Sequence, residues 1–349
     1  MGMMFKHIYR LAITAVMSVL TGCSHAMSKN DTTFDWGATE SAPKHYPMKI
    51  ITGTFIYKDQ AERGLYIPSG GTLRKGWGES ISSHGVGPDF KPLPDRLKIV
   101  FYSYAERQFY KGEFALPYDK ILALFREGVA ISKTGDPAYK DYPVYSRIMA
   151  GIAPGGVVAV WVGGRVNYIE VFFGQAEKVE LDPSAAFALP FKDKQDSDDY
   201  VREVMEDVLT PAELESLKRD GIPFDLWSRY RNRYEWLPSG AIDQADDITI
   251  SFVNGESERE WFWNDKNVVN KPRPVPSQMS FTAPIGDRKV IFEVKFDEFE
   301  TMAAFEKLGA NGQKVYLDFE PRLPRSQIKV RLYNDKESIN LKKIESKDW

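Results

Sequence analysis

The groups available for acid–base or nucleophilic chemistry are few and unevenly placed. Four histidines occur, and His7 lies in a segment that reads as processing signal. His25, His45 and His84 remain, all in the first quarter of the 349-residue chain. A serine nucleophile therefore has at most three bases, and no G-x-S-x-G turn raises one to the tip of a strand–helix elbow. H-E-x-x-H, G-x-x-x-x-G-K-[ST] and G-x-G-x-x-G are all missing, and with them the usual spacings for helix-borne zinc or loop-bound phosphate. Carboxylate pairs of the glycosidase kind carry no spacing signature, so that chemistry stays open. Asp193, Asp196, Asp198 and Asp199 crowd together, but Gln195 and Ser197 occupy alternate ligand positions and no glycine takes the sixth. The stretch reads as a solvated cap for the next helix rather than a calcium loop. No metal and no cofactor is expected, and the chain reads as a non-enzyme.

Recognition is the better-supported chemistry. The segment Ile222 to Trp236 (IPFDLWSRYRNRYEW) interleaves aromatic residues with arginines. On a helix, Trp227, Tyr230 and Tyr234 share one face at i, i+3 and i+7, and Arg229 and Arg233 share another at i, i+4. These are the residue types that dominate binding hot spots; the competing reading packs the aromatics into the core and leaves the arginines solvated. A second candidate is the stretch from Pro68 to Pro94, with glycines at 70, 71, 76, 78, 85 and 87 and with Trp77 and His84. Long irregular loops are often functional, although a surface loop that packs Trp77 onto a sheet would look the same. The candidate partner-contact residues are Trp77, His84, Trp227, Arg229, Tyr230 and Arg233.

Composition narrows the classes further. With 49 acidic against 46 basic residues, a formal charge of -3 argues against general nucleic-acid binding, which needs a basic surface. A content of 43% hydrophobic and 13% aromatic residues excludes global disorder. One cysteine forbids an internal disulfide and any cysteine-based zinc cluster.

That cysteine stands at an informative place. Lys6, His7 and Arg10 precede a ten-residue apolar run, Leu11 to Leu20, too short to span a bilayer. The run ends in Leu20-Thr21-Gly22-Cys23, which resembles the lipobox of bacterial lipoproteins. The resemblance implies removal of residues 1–22 and acylation of Cys23 by several chains, enough for stable anchoring where one chain is marginal. Ser24 is not the aspartate that commonly retains such proteins at the inner membrane. The expected location is the outer membrane, facing the periplasm, with lipid as the only anchor.

Periodicity predicts an α+β fold of mostly antiparallel sheets, in which two sheet-plus-helix units are joined by a helical connector. The expected organisation is signal peptide 1–22, tether 23–33, first unit 34–182, connector 183–245 and second unit 246–349. In the first unit, strands over 97–102 and 107–115 precede a helix opened by Pro117, and strands over 146–153, 157–162 and 167–173 follow. In the connector, 198–209 is amphipathic, Thr210-Pro211-Ala212-Glu213 is a capping box, Gly221 is a stop, and 224–236 is a further helix. In the second unit, strands over 248–253, 260–263 and 290–296 precede a helix capped by Asp297 and stopped by Gly309. A loop with prolines at 272, 274 and 276, which forbid ladder bonding, separates 260–263 from 290–296, and strands over 315–319, 328–333 and 339–342 follow the helix. Both units thus share a rhythm of strands, one helix and three further strands, which predicts an internal duplication.

A set of short motifs resembles the bacterial lipoprotein family known as domain of unknown function 2931. They are Phe34-Asp35-Trp36-Gly37-Ala38, Pro43-Lys44-His45-Tyr46-Pro47, Gly76-Trp77-Gly78, Leu93 to Leu97, Phe101 to Glu106, Tyr110 to Tyr118, Ala153 to Val158 and Leu226 to Arg231. They run from about residue 34 to 255. The family brings no catalytic residues with it. The resemblance implies an association with phospholipase effectors of type VI secretion, and so an immunity protein that binds and blocks a lipase toxin in the periplasm. An envelope assembly or maintenance lipoprotein with a structural partner, and a carboxylate-based periplasmic hydrolase, are the alternatives.

Overall fold

The computed structural model describes residues 32–82, 86–132, 144–164, 167–261, 271–285, 287–322 and 327–348. Cys23 and His84 lie outside them. The fold is α+β with mostly antiparallel sheets, as the periodicity predicts.

The first half begins with Thr33–Asp35 (β1), Gly37–Ser41 (β2), Met48–Tyr57 (β3) and Gly64–Tyr66 (β4). Phe90–Pro92 (β5), Pro94–Ser103 (β6) and Gln108–Ala115 (β7) lead into the helix Tyr118–Ser132 (α1). Arg147–Ala153 (β8), Val157–Gly163 (β9), Tyr168–Gln175 (β10) and Glu177–Val179 (β11) complete it. Besides the short pair β1-β5, two sheets result: β4-β3-β6-β7-β11, and a meander β8-β9-β10 with β2 running parallel beside β8. Every residue of β9 is buried, which its unbroken apolar run requires of a strand covered on both faces.

The connector contains the helices Pro183–Phe187 (α2), Lys194–Val208 (α3), Pro211–Asp220 (α4) and Leu226–Arg229 (α5). Val201, Met205 and Leu209 bury the apolar stripe of α3 and its C-terminal end against Tyr102, Tyr104 and Phe109 of the first half. Asp193 caps α3 by accepting from the Asp196 amide, while Asp198 and Asp199 pair with Arg107 and Arg202. The capping box at Thr210 and Glu213 is formed, and Gly221 ends α4.

The second half contains Tyr234–Gly240 (β12), Asp247–Phe252 (β13), Ser257–Trp261 (β14), Pro272–Arg273 (β15), Pro276–Ile285 (β16) and Arg288–Phe296 (β17). The helix Glu298–Leu308 (α6) and the strands Val315–Arg322 (β18), Gln327–Tyr333 (β19), Ser338–Leu341 (β20) and Ile344–Asp348 (β21) follow. Its pairing order is β14-β13-β16-β17-β21, with β12 parallel to β18 in β12-β18-β19-β20. Strand for strand, this is the order of the first half: β12 stands for β2, β13 for β3, β16 and β17 for β6 and β7, and β21 for β11. The duplication read from strand–helix rhythm is therefore present in the topology. Pairing of β10 with β14, Tyr168 opposite Ser257, fuses one sheet of each half into a nine-stranded sheet.

Side chains repeat along with the strands. Trp36 donates its indole N–H to the Pro92 carbonyl at 3.2 Å, and Trp236 donates to the Pro274 carbonyl at 3.0 Å. The residue before each proline is a buried cation, Lys91 or Arg273, 5.9 Å from the ring of its tryptophan. Phe34 and Tyr234, two residues before the tryptophans, lie opposite those cations in the ladders and pack on Phe125 and Phe305 of α1 and α6. Phe34-x-Trp36 with Lys91-Pro92-x-Pro94, and Tyr234-x-Trp236 with Arg273-Pro274-x-Pro276, are one motif used twice.

Two expectations need correction. The helix expected over 224–236 is confined to α5, and the chain is a strand from Tyr234. The parallel ladder with β18 and the burial of Trp236 outweigh the helical spacing of the aromatics. The prolines at 272–276 do not exclude strand structure either. Pro272 and Pro276 take the first positions of β15 and β16, where a missing N–H costs no ladder bond.

Candidate functional site

The aromatic–arginine segment separates into a buried side and a presented side. Trp227 is 0% and Tyr230 4% exposed, both within the main core, so neither offers a surface. Tyr234, expected on the same helical face, packs on Phe305 from a strand. The arginines point outward, each held by a carboxylate from a different element. Arg229 bonds Glu306 of α6 at 2.9 Å, Arg231 bonds Glu170 of β10 at 2.7 Å, and Arg233 bonds Glu256, in the turn before β14. Arg231 also lies 4.5 Å from the Phe173 ring. Phe224, at the start of the segment, is 55% exposed. The result is a ledge of three partly exposed guanidiniums whose positions are set by charge-assisted bonds and whose base is locked by Trp227 and Tyr230. The helical spacing gives no sign of Arg231 as surface, because four residues after Trp227 and three before Tyr234 it would share the aromatic face.

Trp77 is placed differently. It lies edge-on against Trp161 at 5.1 Å, half-buried on the nine-stranded sheet. Its flanking glycines are tied by Ser41, whose hydroxyl donates to the Gly76 carbonyl and accepts from the Gly78 amide, both at 2.9 Å. The packing reading of this loop holds for Trp77.

A groove of about 530 Å³ adjoins the segment, lined mostly by apolar surface from the turn before β3, from α4 and from the start of α6. Tyr46, Leu217, Pro223 and Phe299 supply apolar walls, and His45, Glu213, Asp220 and Glu298 the polar groups. Tyr46 stands edge-on to Trp227 at 5.8 Å, and Tyr230 donates its hydroxyl proton to Glu298 Oε2 at 2.7 Å. The two buried aromatics thus form the groove's support. His45 Nδ1 lies 2.9 Å from Glu213 Oε1. Glu213 is held at about 2, first by the Thr210 backbone amide and then by the Thr210 hydroxyl and His45. Glu298 moves the other way: burial pushes its carboxyl above the ordinary range, against the Tyr230 hydroxyl that favours the anion. Burial and the nearby Glu298 also raise the Tyr46 phenol. Two carboxylates on one groove thus shift in opposite directions, one lowered by its place in a cap and the other raised by burial.

A family model described as protein of unknown function (DUF2931) matches residues 24–225, more than half of the chain. The chain belongs to this family. In this DUF2931 chain the matched span takes in the first half of the fold and the connector helices α2 to α4, ending at the threshold of α5. The second half, with the repeated tryptophan–cation motif, lies beyond it. No curated protein and no solved structure matches the chain.

Several motifs of the resemblance now have physical roles in the DUF2931 fold. Glu106 accepts from the Tyr110 hydroxyl at 2.7 Å and from the Gly155 amide at 2.9 Å, joining the β6–β7 turn to the Pro154-Gly155-Gly156 turn. Gly156 has φ +79°, and a Cβ there would meet the Ala176 carbonyl at 2.6 Å. His45 and Tyr46, from the Pro43–Pro47 motif, line the groove.

Proposed function

We propose that this chain is a lipid-anchored lipoprotein on the periplasmic face of the outer membrane, where it acts as an immunity protein that binds and blocks a type VI secretion lipase. The anchor rests on Leu20-Thr21-Gly22-Cys23 and the apolar run before it. The lipase link rests on the family resemblance. The observation that carries the binding role is the arginine ledge, in which Arg229, Arg231 and Arg233 are presented beside exposed Phe224 on a base that burial has already ordered. Arginine and aromatic side chains that need no further ordering lose little entropy on binding, which favours tight inhibition. A tether at Cys23 would hold the inhibitor at the membrane that a lipase attacks.

The test uses the full chain with Cys23→Ser as bait against the producer's secreted and envelope proteins. Stoichiometric capture of a lipase with its activity abolished supports immunity. Capture of envelope-assembly proteins alone, or of nothing, overturns it. Fractionation checks the anchor separately: native chain in the membrane and Cys23→Ser in the soluble fraction is the expected result, and a variant that stays membrane-bound contradicts it.

A further inference from the structure

The groove beside the ledge carries a charge pattern that the fold does not neutralise. Of the three carboxylates on its lining, Glu213 is paired with His45 and Asp220 with Arg219, at 2.9 and 2.7 Å. Glu298 has no cation within ion-pair distance among the described residues. Its Oε2 accepts from Tyr230, and no group among the described residues donates to Oε1. Among the described residues the lining contains no lysine or arginine, and His45, the basic side chain present, is bonded to Glu213. An incoming anion would meet these carboxylates, and a purely apolar ligand would leave Glu298 desolvated and uncompensated.

The repeat shows what stands at the corresponding helix start in the first half. In the first half, Tyr118 opens α1, and Lys58, just past the end of β3, sets its ammonium 4.5 Å from the Tyr118 ring centroid. The corresponding helix start in the second half is Glu298. The residue corresponding to Lys58 is Val253, since Lys58 bonds its amide to the Leu93 carbonyl as Val253 does to that of Val275. The first half thus supplies an ammonium of its own to the aromatic helix start. The second half has a valine at that strand position, with Glu298 and the 55% exposed Phe299 at the helix.

We propose that the groove binds an alkylammonium amphiphile, its positive nitrogen against Glu298 and its apolar stem between Tyr46, Leu217 and Phe299. Charge selects the cation, aromatic rings add attraction for it, and the apolar walls take the stem. The occupant is a free small amphiphile, because a groove of about 530 Å³ has room for a chain longer than a lysine stem. This site is independent of the ledge and of the lipase reading.

Calorimetric titration of the full Cys23→Ser chain at neutral pH tests it. The probes are octyltrimethylammonium, below its micelle concentration, and octanoate and octanol as same-length anionic and neutral controls. The expected result is saturable binding of the cation, at least tenfold weaker binding of both controls, and at least tenfold loss in Glu298→Gln. Phe299→Ala, at a position 55% exposed, should weaken the cation severalfold, and equal melting temperatures of the variants would exclude unfolding as the cause. Octanoate or octanol binding as well as the cation, undiminished binding in both variants, or no binding of any probe would overturn the proposal. Tighter binding of Nα-acetyl-lysine methylamide than of octyltrimethylammonium would also overturn it, in favour of a lysine from a partner protein.

Discussion

Gly78 of the first half and Gly255 of the second lie back to back: a Cβ on Gly78 would sit 2.0 Å from the Gly255 Cα. Both have positive φ, +79° and +82°. Beside them Trp161 donates its indole N–H to the Asn254 carbonyl at 3.1 Å, and Trp77 closes over Trp161. The Gly76-Trp77-Gly78 motif therefore serves the junction between the repeats.

Gly78→Ala should cost about 2–4 kcal/mol, from overpacking against backbone together with a disfavoured left-handed conformation. Gly70→Ala, where an added Cβ meets nothing within 4 Å, should stay within about 0.5 kcal/mol. Denaturant unfolding of the two variants checks this, and equal costs would place the junction elsewhere.

The repeated tryptophan motif makes a paired prediction. Trp36→Phe and Trp236→Phe each remove one indole donor and leave a proline carbonyl unpartnered in a buried site, which costs about 1–3 kcal/mol. The two losses should agree within about 1 kcal/mol. A large loss in one and none in the other would mean that the motif supports only one half.

Burial and presentation should separate in the Phe224–Arg233 segment. Trp227→Ala removes a fully buried ring and should destabilise the fold by about 3–5 kcal/mol. Arg231→Ala or Arg233→Ala uncovers a carboxylate that is only 9% or 12% exposed and should cost about 1–3 kcal/mol, less than the tryptophan change, while reducing partner capture at least tenfold. Capture that survives both arginine changes would remove the ledge from the interface.

The groove carboxylates should leave opposite marks on stability against pH. Glu213 is held at about 2 in the fold against an ordinary 4.5, so its contribution is complete above pH 4.5 and is lost as pH falls toward 2. Glu298 is raised, so the fold favours its protonated form. Its contribution is present below pH 4.5 and is lost as pH rises through its folded value. Melting curves across pH should show Glu213→Gln flattening the acid limb and Glu298→Gln removing the loss on the other side. An unchanged acid limb in Glu213→Gln would disprove the cap's electrostatic role.

Much of the chain was legible because the signals are local. The caps at Asp193, Thr210 and Asp297 and the stops at Gly221 and Gly309 each depend on residues within one turn, and all are formed. The strand–helix rhythm was readable for the same reason. Met48–Tyr57 and Pro276–Ile285, each ten residues long, escaped notice, the first because Thr and Gly interrupt its apolar alternation and the second because prolines frame it. The groove was out of reach: His45 and Glu213 are 168 residues apart, and Tyr230 and Glu298 are 68 apart.

By itself the sequence determined the period, the caps, the charge balance and the position of its single cysteine, since each is written in neighbouring residues. Only the tertiary structure decided that Trp227 and Tyr230 are support while Arg229, Arg231 and Arg233 are surface, and that Glu298 has no ion-pair partner among the described residues. The physical reason is that an aromatic residue at helical spacing carries no mark of whether a sheet from another part of the chain will cover it. Burial, and with it the shift of a carboxyl, depends on ladders such as β12 against β18, whose partners lie about eighty residues apart.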